Sequence, residues 1–151
     1  MKQFTLPLNK QYHRPIVQLH EWNHFEALLD TGALFPVWTD SARLLEKTGA
    51  VSIKKEAVFN GFGGKTKGIL YKIPSLVVGQ LVFPNMPIIV CNDLQNVPYQ
   101  LILSATMFQG LIYEIDDRNH NLNITMPTGE SNVRNLKIVD INGNIHILNN
   151  G

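Results

Sequence analysis

Ala27-Leu28-Leu29-Asp30-Thr31-Gly32-Ala33 is the stretch that decides the expected fold. An apolar run ends at an acidic residue, and a hydroxyl residue, a glycine and an alanine follow it. A carboxylate at a strand end can be held rigidly beside a cleft, because the glycine permits a tight turn and backbone N–H groups can fix its orientation. The simpler interpretation is a turn in which Asp30 accepts a hydrogen bond from its own backbone. Asp-Thr-Gly arises by chance in many proteins, so the surrounding pattern has to decide.

On both sides of this stretch, short apolar and β-branched runs alternate with glycine, proline and asparagine. This pattern is typical of an all-β domain with little helix. The predicted strands cover residues 14–20, 24–29, 51–59, 66–73, 81–83, 87–91, 99–103, 137–141 and 144–148. Hairpin turns are predicted at 117–121 and at Asn142-Gly143, a pair typical of the type I′ turn. Helix is expected over 42–47 and in one turn within 104–110, and residues 128–134 are expected to form a flexible loop.

Length and composition limit the kinds of protein this can be. The 151 residues suffice for one domain, 1–151, with a core over about 12–127 and a C-terminal hairpin extension over about 128–151. A net charge of +1 gives no reason to expect a nucleic-acid or membrane partner. The one cysteine, Cys91, lies in an apolar run and is expected to be buried, which suits a cytoplasmic protein without disulfides. We find no membrane-span or signal-peptide pattern.

Three landmarks together resemble the retropepsin-like (retroviral-type) aspartic peptidases, in particular a bacterial-type single-domain member. The first is the active-site strand and loop, Leu28-Leu29-Asp30-Thr31-Gly32-Ala33. The second is the hairpin tip Gly61-Phe62-Gly63-Gly64, where the family carries its flap. The third is the stretch 101–108, in which an apolar strand meets a short helix at Ser104, Ala105 and Thr106. The landmarks follow the family's order with compatible spacing over roughly residues 15–115.

This resemblance implies a closed β-barrel of the acid-protease type, with one or two short helices and a flap hairpin. It implies a hydrolase that cleaves peptide bonds, with Asp30 as the catalytic residue and Thr31, Gly32 and Ala33 supporting the loop. The stretch 61–64 would close over the peptide, with Phe62 covering the site. Neither a cofactor nor a metal is needed for this chemistry.

The same chemistry requires a second carboxylate. Two carboxylates a few Å apart share one proton, because ionising both at that distance is costly. No other aspartate in the chain precedes Thr-Gly or Ser-Gly. A twofold axis beside Asp30 would bring the missing group from a second copy, so a homodimer is expected. By resemblance, Thr31 of each chain would hydrogen-bond across that axis.

The sequence departs from the family's pattern in two places. The third landmark usually reads Ile-Leu-Gly, whereas this chain has Ile102-Leu103-Ser104, and serine pays a steric cost wherever the backbone needs a positive φ. The segment after Gly110 is longer than a minimal family member needs, and its two hairpins would form an added sheet or part of the dimer contact. The alternative function is a catalytically silent peptide-binding or dimerisation module with the same fold.

A second motif overlaps the same region. His20-Glu21-Trp22-Asn23-His24 matches H-E-x-x-H of the zinc peptidases, in which both histidines lie on one face of a helix and the glutamate is the general base. A helix over 20–29 would give Phe25, Leu28 and Leu29 an apolar stripe. On a strand, the two histidines would lie about 13 Å apart, too far for one zinc ion. Pro15 and its neighbours favour extended chain, so a solvated turn between two strands and no metal site are expected.

Overall fold

The computed structural model describes residues 1–19, 25–40, 42–61, 64–91 and 97–149. Across these ranges the chain forms twelve strands, one α-helix and one 3-10 helix. The strands are β1 (Lys2–Pro7), β2 (Ile16–Gln18), β3 (Glu26–Asp30), β4 (Val37–Trp38), β5 (Val51–Gly61), β6 (Gly64–Val78), β7 (Leu81–Val90), β8 (Leu101–Ser104), β9 (Ile112–Asp116), β10 (Asn121–Met126), β11 (Leu136–Ile141) and β12 (Asn144–Asn149). The helix α1 covers Ala42–Glu46, and the 3-10 helix covers Ala105–Phe108. The all-β prediction is confirmed.

Most elements form close to their predicted positions. The helix α1 ends before Gly49, whose φ of 88° is the left-handed conformation that commonly follows a helix. At Asn142 and Gly143 the φ values are 53° and 84°, as a type I′ turn requires. The strands β1 and β4 were not predicted. No helix in the described ranges is long and apolar enough to cross a membrane.

The largest sheet has seven strands in the order β2-β3-β8-β4-β7-β6-β5. Strand β8 lies between β3, to which it is parallel, and β4, to which it is antiparallel. All four residues of β8 are buried. A strand covered on both faces is almost continuously apolar, which is why this one could be recognised in the sequence. The pairing places the C-terminal ends of β3 and β8 side by side.

Strands β5 and β6 form a hairpin that extends beyond the rest of the sheet. Strand β6 pairs with β7 from Ile69 to Val78, whereas residues 64–68 pair with β5 alone among the described strands. The outer part of the hairpin is therefore a two-stranded arm that ends at the Gly61–Gly64 pair. Two register shifts interrupt the β5–β6 pairing within residues 52–57. Such irregularities bend a strand and increase its twist.

Two smaller sheets complete the described structure. Strands β1, β10 and β9 form an antiparallel sheet in that order, and β11 pairs with β12. The hairpins predicted near residues 117–121 and 142–143 connect β9 to β10 and β11 to β12. The described strands are paired as three separate sheets, and the closed barrel that the resemblance implies is not established by this pairing.

The hydrophobic core draws side chains from all three sheets. Trp38 of β4, Phe83 of β7, Leu122 of β10 and Ile147 of β12 are all buried in it. Complete burial of such a side chain stabilises a fold by about 1.5–3 kcal/mol. Cys91 is buried as well, as predicted. The C-terminal hairpin thus contributes to the same core as the strands that carry the landmarks.

Residues 132–134 are held along β7. Val82 N donates to the carbonyl oxygen of Asn132 at 2.8 Å, and Arg134 N donates to the carbonyl oxygen of Val82 at 2.8 Å. The Arg134 side chain is buried and donates to Glu130 Oε2 at 3.0 Å and to the carbonyl oxygen of Gln109. The flexible loop expected over residues 128–134 is therefore wrong for residues 132–134, which are bonded to β7 and anchored by Arg134.

Candidate active site

Asp30 is the last residue of β3 and is half-buried. Its Oδ1 accepts a hydrogen bond from Gly32 N at 3.0 Å, and its carbonyl oxygen accepts one from Ala33 N at 3.1 Å. The first bond is the local turn contact of the simpler interpretation, but it also orients the carboxylate at the strand end. Thr31 and Gly32 are exposed. A single chain therefore presents one oriented carboxylate beside an exposed loop.

The first and third landmarks meet at the end of β3. Asp30 and Ser104 are Cα partners in the parallel pairing of β3 with β8. Just beyond this pair, Ala105 N donates to the carbonyl oxygen of Ala33 in the Asp30 loop at 3.4 Å. The fold thus brings together two predicted groups of site residues that are widely separated in the sequence.

Ser104 occupies the position at which the family usually has glycine. Its φ and ψ are −93° and 158°, which is extended backbone that any residue adopts. The steric cost considered for serine at a positive φ therefore does not arise. The Ser104 side chain is fully buried, and its Oγ has no hydrogen-bond partner. A buried hydroxyl without a partner costs roughly 1–3 kcal/mol.

Comparison with solved structures identifies a similar architecture. The crystal structure of a retropepsin-like aspartic protease from Rickettsia conorii matches this chain with a TM-score of 0.52 and 17% sequence identity. The match covers 83% of this chain and 91% of that chain. This chain has the retropepsin-like fold. No protein-family model and no curated protein sequence matches it.

In this retropepsin-like fold, the glycine-rich hairpin is the arm of β5 and β6. Gly61 and Gly64 face each other as Cα partners at its end, and the predicted tip residues Phe62 and Gly63 lie outside the described residues. Further along the arm, Lys67 Nζ lies 3.2 Å from Glu56 Oε1, and both side chains are exposed. An exposed ion pair of this kind contributes at most about 1 kcal/mol.

The 3-10 helix after Ser104 is held from two sides. Thr106 Oγ1 donates to the carbonyl oxygen of Leu34 in the Asp30 loop at 3.3 Å. Asn149 Nδ2 of β12 donates to the carbonyl oxygen of Thr106 at 3.0 Å, and Arg134 donates to that of Gln109. Sequence reasoning missed Asn149 and Arg134, since nothing near either residue indicates a partner on this helix or in the turn after it. The C-terminal extension therefore supports the third landmark directly.

The helix considered over residues 20–29 for a zinc site can be checked only in its second half. His20, Glu21 and His24 lie outside the described residues, so their arrangement stays untested. Glu26–Asp30, however, forms strand β3, and a helix over 20–29 with an apolar stripe is wrong for that half. Within the described ranges, no group of three or more His, Cys, Asp or Glu side chains is placed to hold a metal ion.

Proposed function

We propose that this chain is one subunit of a homodimeric aspartic endopeptidase in which each subunit supplies Asp30. The observation that carries the proposal is the placement of Asp30 in a retropepsin-like fold. Asp30 is the last residue of β3, and its carboxylate accepts a hydrogen bond from Gly32 N at 3.0 Å. The pairing of Asp30 with Ser104 places it beside the third landmark.

The reaction needs two carboxylates with one proton between them. The ionised Asp30 takes a proton from a bound water, and the resulting hydroxide attacks the carbonyl carbon of the peptide bond. The protonated Asp30 of the other subunit donates a hydrogen bond to the carbonyl oxygen and stabilises the charge that develops there. Breakdown of the tetrahedral intermediate breaks the C–N bond as a proton passes to the leaving amine. One water is consumed, and one acid and one amine are released.

The surface around the loop supports pairing with a second copy. Thr31 and Gly32 are exposed in the single chain, and the neighbouring Leu34 is 57% exposed. Complete burial of an exposed leucine gains about 1.5–3 kcal/mol, and covering the part of Leu34 that is still exposed would gain roughly half of that. In the proposed dimer, the two loops meet at the twofold axis and Thr31 of each chain bonds across it.

The arm of β5 and β6 would act as the flap over the peptide. Among the described strands, its outer part pairs only within the hairpin, and in this proposal the hairpin covers the peptide bound beside Asp30. The substrate is proposed to be an extended peptide segment, whose backbone can hydrogen-bond to the flap as an added strand does. Closure over the substrate would exclude bulk water.

The proposed setting is the cytoplasm, without a cofactor and without a nucleic-acid or membrane partner. The one cysteine is buried, so folding does not depend on an oxidising compartment. The net charge of +1 offers no broad surface field for a polyanion.

Asp30→Asn tests the proposal, with Asp117→Asn as the matched control in an exposed hairpin turn. Cleavage of a mixed peptide pool is followed from mildly acidic to neutral pH. In Asp30→Asn, kcat/KM should fall by a factor of roughly 10²–10⁴ or more, because the variant lacks the carboxyl groups that act as general acid and general base. Circular dichroism and size-exclusion chromatography should show the same folded dimer, and Asp117→Asn should cut as fast as the wild type.

Full activity in Asp30→Asn would refute the proposal. A chelator that abolishes this remaining activity would point to the H-E-x-x-H motif instead. A folded wild-type dimer that cuts no peptide in the pool but binds some of them would favour the silent binding module.

A further inference from the structure

The hydroxyl of Ser104 is a buried polar group without a hydrogen-bond partner. The residue is 0% exposed, and Oγ contacts no acceptor or donor. It does not cap the 3-10 helix that begins at the next residue. Most buried polar side-chain atoms in folded proteins are hydrogen-bonded, so an unpaired one calls for a partner that forms in the working state.

The β3–β8 pairing places this hydroxyl next to Asp30. Asp30 and Ser104 are Cα partners in a parallel pair, where paired side chains leave the sheet on the same face and the strands lie about 4.8 Å apart. The Asp30 carboxylate accepts one bond from Gly32 N, whereas a carboxylate can accept about four. Rotation of Ser104 about χ1 moves Oγ among three staggered positions. A buried donor and an acceptor with spare capacity are therefore neighbours.

We propose that Ser104 is a positioning residue for Asp30: its hydroxyl donates a hydrogen bond to the carboxylate of the same subunit and stabilises the ionised form. The effect on catalysis rests on the proposed peptidase function. Glycine, which the family usually has at this position, carries no donor, so the bond distinguishes this chain from the family's pattern. In the dimer each carboxylate receives one such bond.

This bond sets the pH range in which the site works. Stabilising each ionised carboxylate favours the singly ionised pair over the neutral pair at acidic pH. It equally favours the doubly ionised pair over the singly ionised one at higher pH. Because the singly ionised pair is the active form, both limbs of the bell-shaped dependence of kcat/KM lie at lower pH than they would without the hydroxyl.

Ser104→Ala removes the donor. Both limbs of the kcat/KM profile should move to higher pH together by about one pH unit, which is roughly a tenfold loss of kcat/KM at a fixed pH on the acidic limb. Ser104→Gly should shift them in the same direction, and Ser104→Thr, which keeps the hydroxyl, should return them toward the wild-type position. A merely structural role would lower the height of the profile or the stability without moving either limb.

The control is Thr39→Val, which removes a buried hydroxyl that donates to the carbonyl oxygen of Tyr99 at 2.6 Å, beyond the opposite end of β8. It should lower stability and leave both limbs in place. Unmoved limbs in folded, dimeric Ser104→Ala and Ser104→Gly would overturn the proposal.

A crystal structure of the wild-type dimer tests the contact itself without reference to activity. An Oγ–Oδ distance of about 2.5–3.0 Å between Ser104 and Asp30 supports the bond, and a distance beyond about 3.5 Å overturns it. If Asp30→Asn kept full peptidase activity, the proposed function would fail, but this distance would still decide whether the hydroxyl binds the carboxylate.

Discussion

Arg134 is a charged residue at a position where a charge is costly. It is 1% exposed, and its guanidinium is balanced by Glu130 and by the carbonyl oxygen of Gln109. Gly110, next to Gln109, leaves the space for this arrangement, since a Cβ there would lie 2.6 Å from Glu130 Oε1. The contact fastens residues 128–134 to the turn that follows the 3-10 helix.

Arg134→Met should therefore destabilise the fold markedly. It removes the guanidinium but leaves the Glu130 carboxylate and the Gln109 carbonyl oxygen without their partner. Because Glu130 is partly exposed, water can replace part of this contact. The loss should be about 1.5–3 kcal/mol, as for hydrogen bonds to a charged group, measurable as the change in the free energy of unfolding in urea. Arg118→Met, at an exposed turn, should change it by no more than about 0.5 kcal/mol. Equal losses in the two variants would contradict the anchoring role.

Among the elements, α1 is attached to the large sheet through Tyr71 of β6. The Tyr71 hydroxyl donates to Glu46 Oε1 at 3.3 Å, and the tyrosine is buried. Burial raises the pKa of Tyr71, and the negative charge of Glu46 and the hydrogen bond to it raise this pKa further. The neutral phenol thus stabilises the folded chain relative to the phenolate.

This attachment should weaken in alkali. Because the pKa of Tyr71 is higher in the folded than in the unfolded chain, its contribution is complete below the ordinary value of about 10 and is lost as the pH rises through the folded value. Thermal melts from pH 8 to pH 11 should show the wild type losing more stability than Tyr71→Phe above about pH 10. Tyr12→Phe, at an exposed position, controls for removing a phenol. Parallel curves for wild type and Tyr71→Phe would rule out this linkage.

Among the strands and turns, the sequence predicted those whose signals lie within the element itself. Asn142-Gly143 specified a turn, and Ile141 and Asn144 are indeed Cα partners beside it. Strand β1 had no such signal, since its partner β10 is distant in the sequence and it ends at a proline. Strand β4 was missed because two residues are too short for a recognisable alternation.

The candidate site could be predicted in part for the same reason. The strand ends at Asp30 and Ser104 were recognisable because each follows an apolar run, and the sheet places them as Cα partners. Arg134 and Asn149 could not be identified, because Gln109 and Thr106, whose carbonyl oxygens accept their bonds, lie 25 and 43 positions away in the sequence. Contacts at that range depend on tertiary packing rather than on local sequence.

At the scale of the whole molecule, the proposed dimer predicts that an inactive chain also inactivates the wild-type chain with which it pairs. If both Asp30 carboxylates are needed, wild type mixed and re-equilibrated with a threefold excess of Asp30→Asn should retain roughly a quarter of its activity, since random pairing leaves that share of wild-type chains with a wild-type partner. Dilution below the dissociation constant of the dimer should also lower the activity per chain. An excess of Asp117→Asn should have no such effect, and activity that ignores both mixing and dilution would exclude a shared site.

During synthesis, β1 leaves the ribosome long before its partner exists. Thr5 and Asn123, which face each other across the β1–β10 pair, are 118 positions apart. At translation rates of about 5–20 residues per second, that interval lasts roughly 6–24 seconds. An unpaired strand can template association with other chains, so β1 stays open to chaperones and to neighbouring nascent copies for that time. The small sheet cannot close until synthesis has passed β10, so β1 needs shielding until that point.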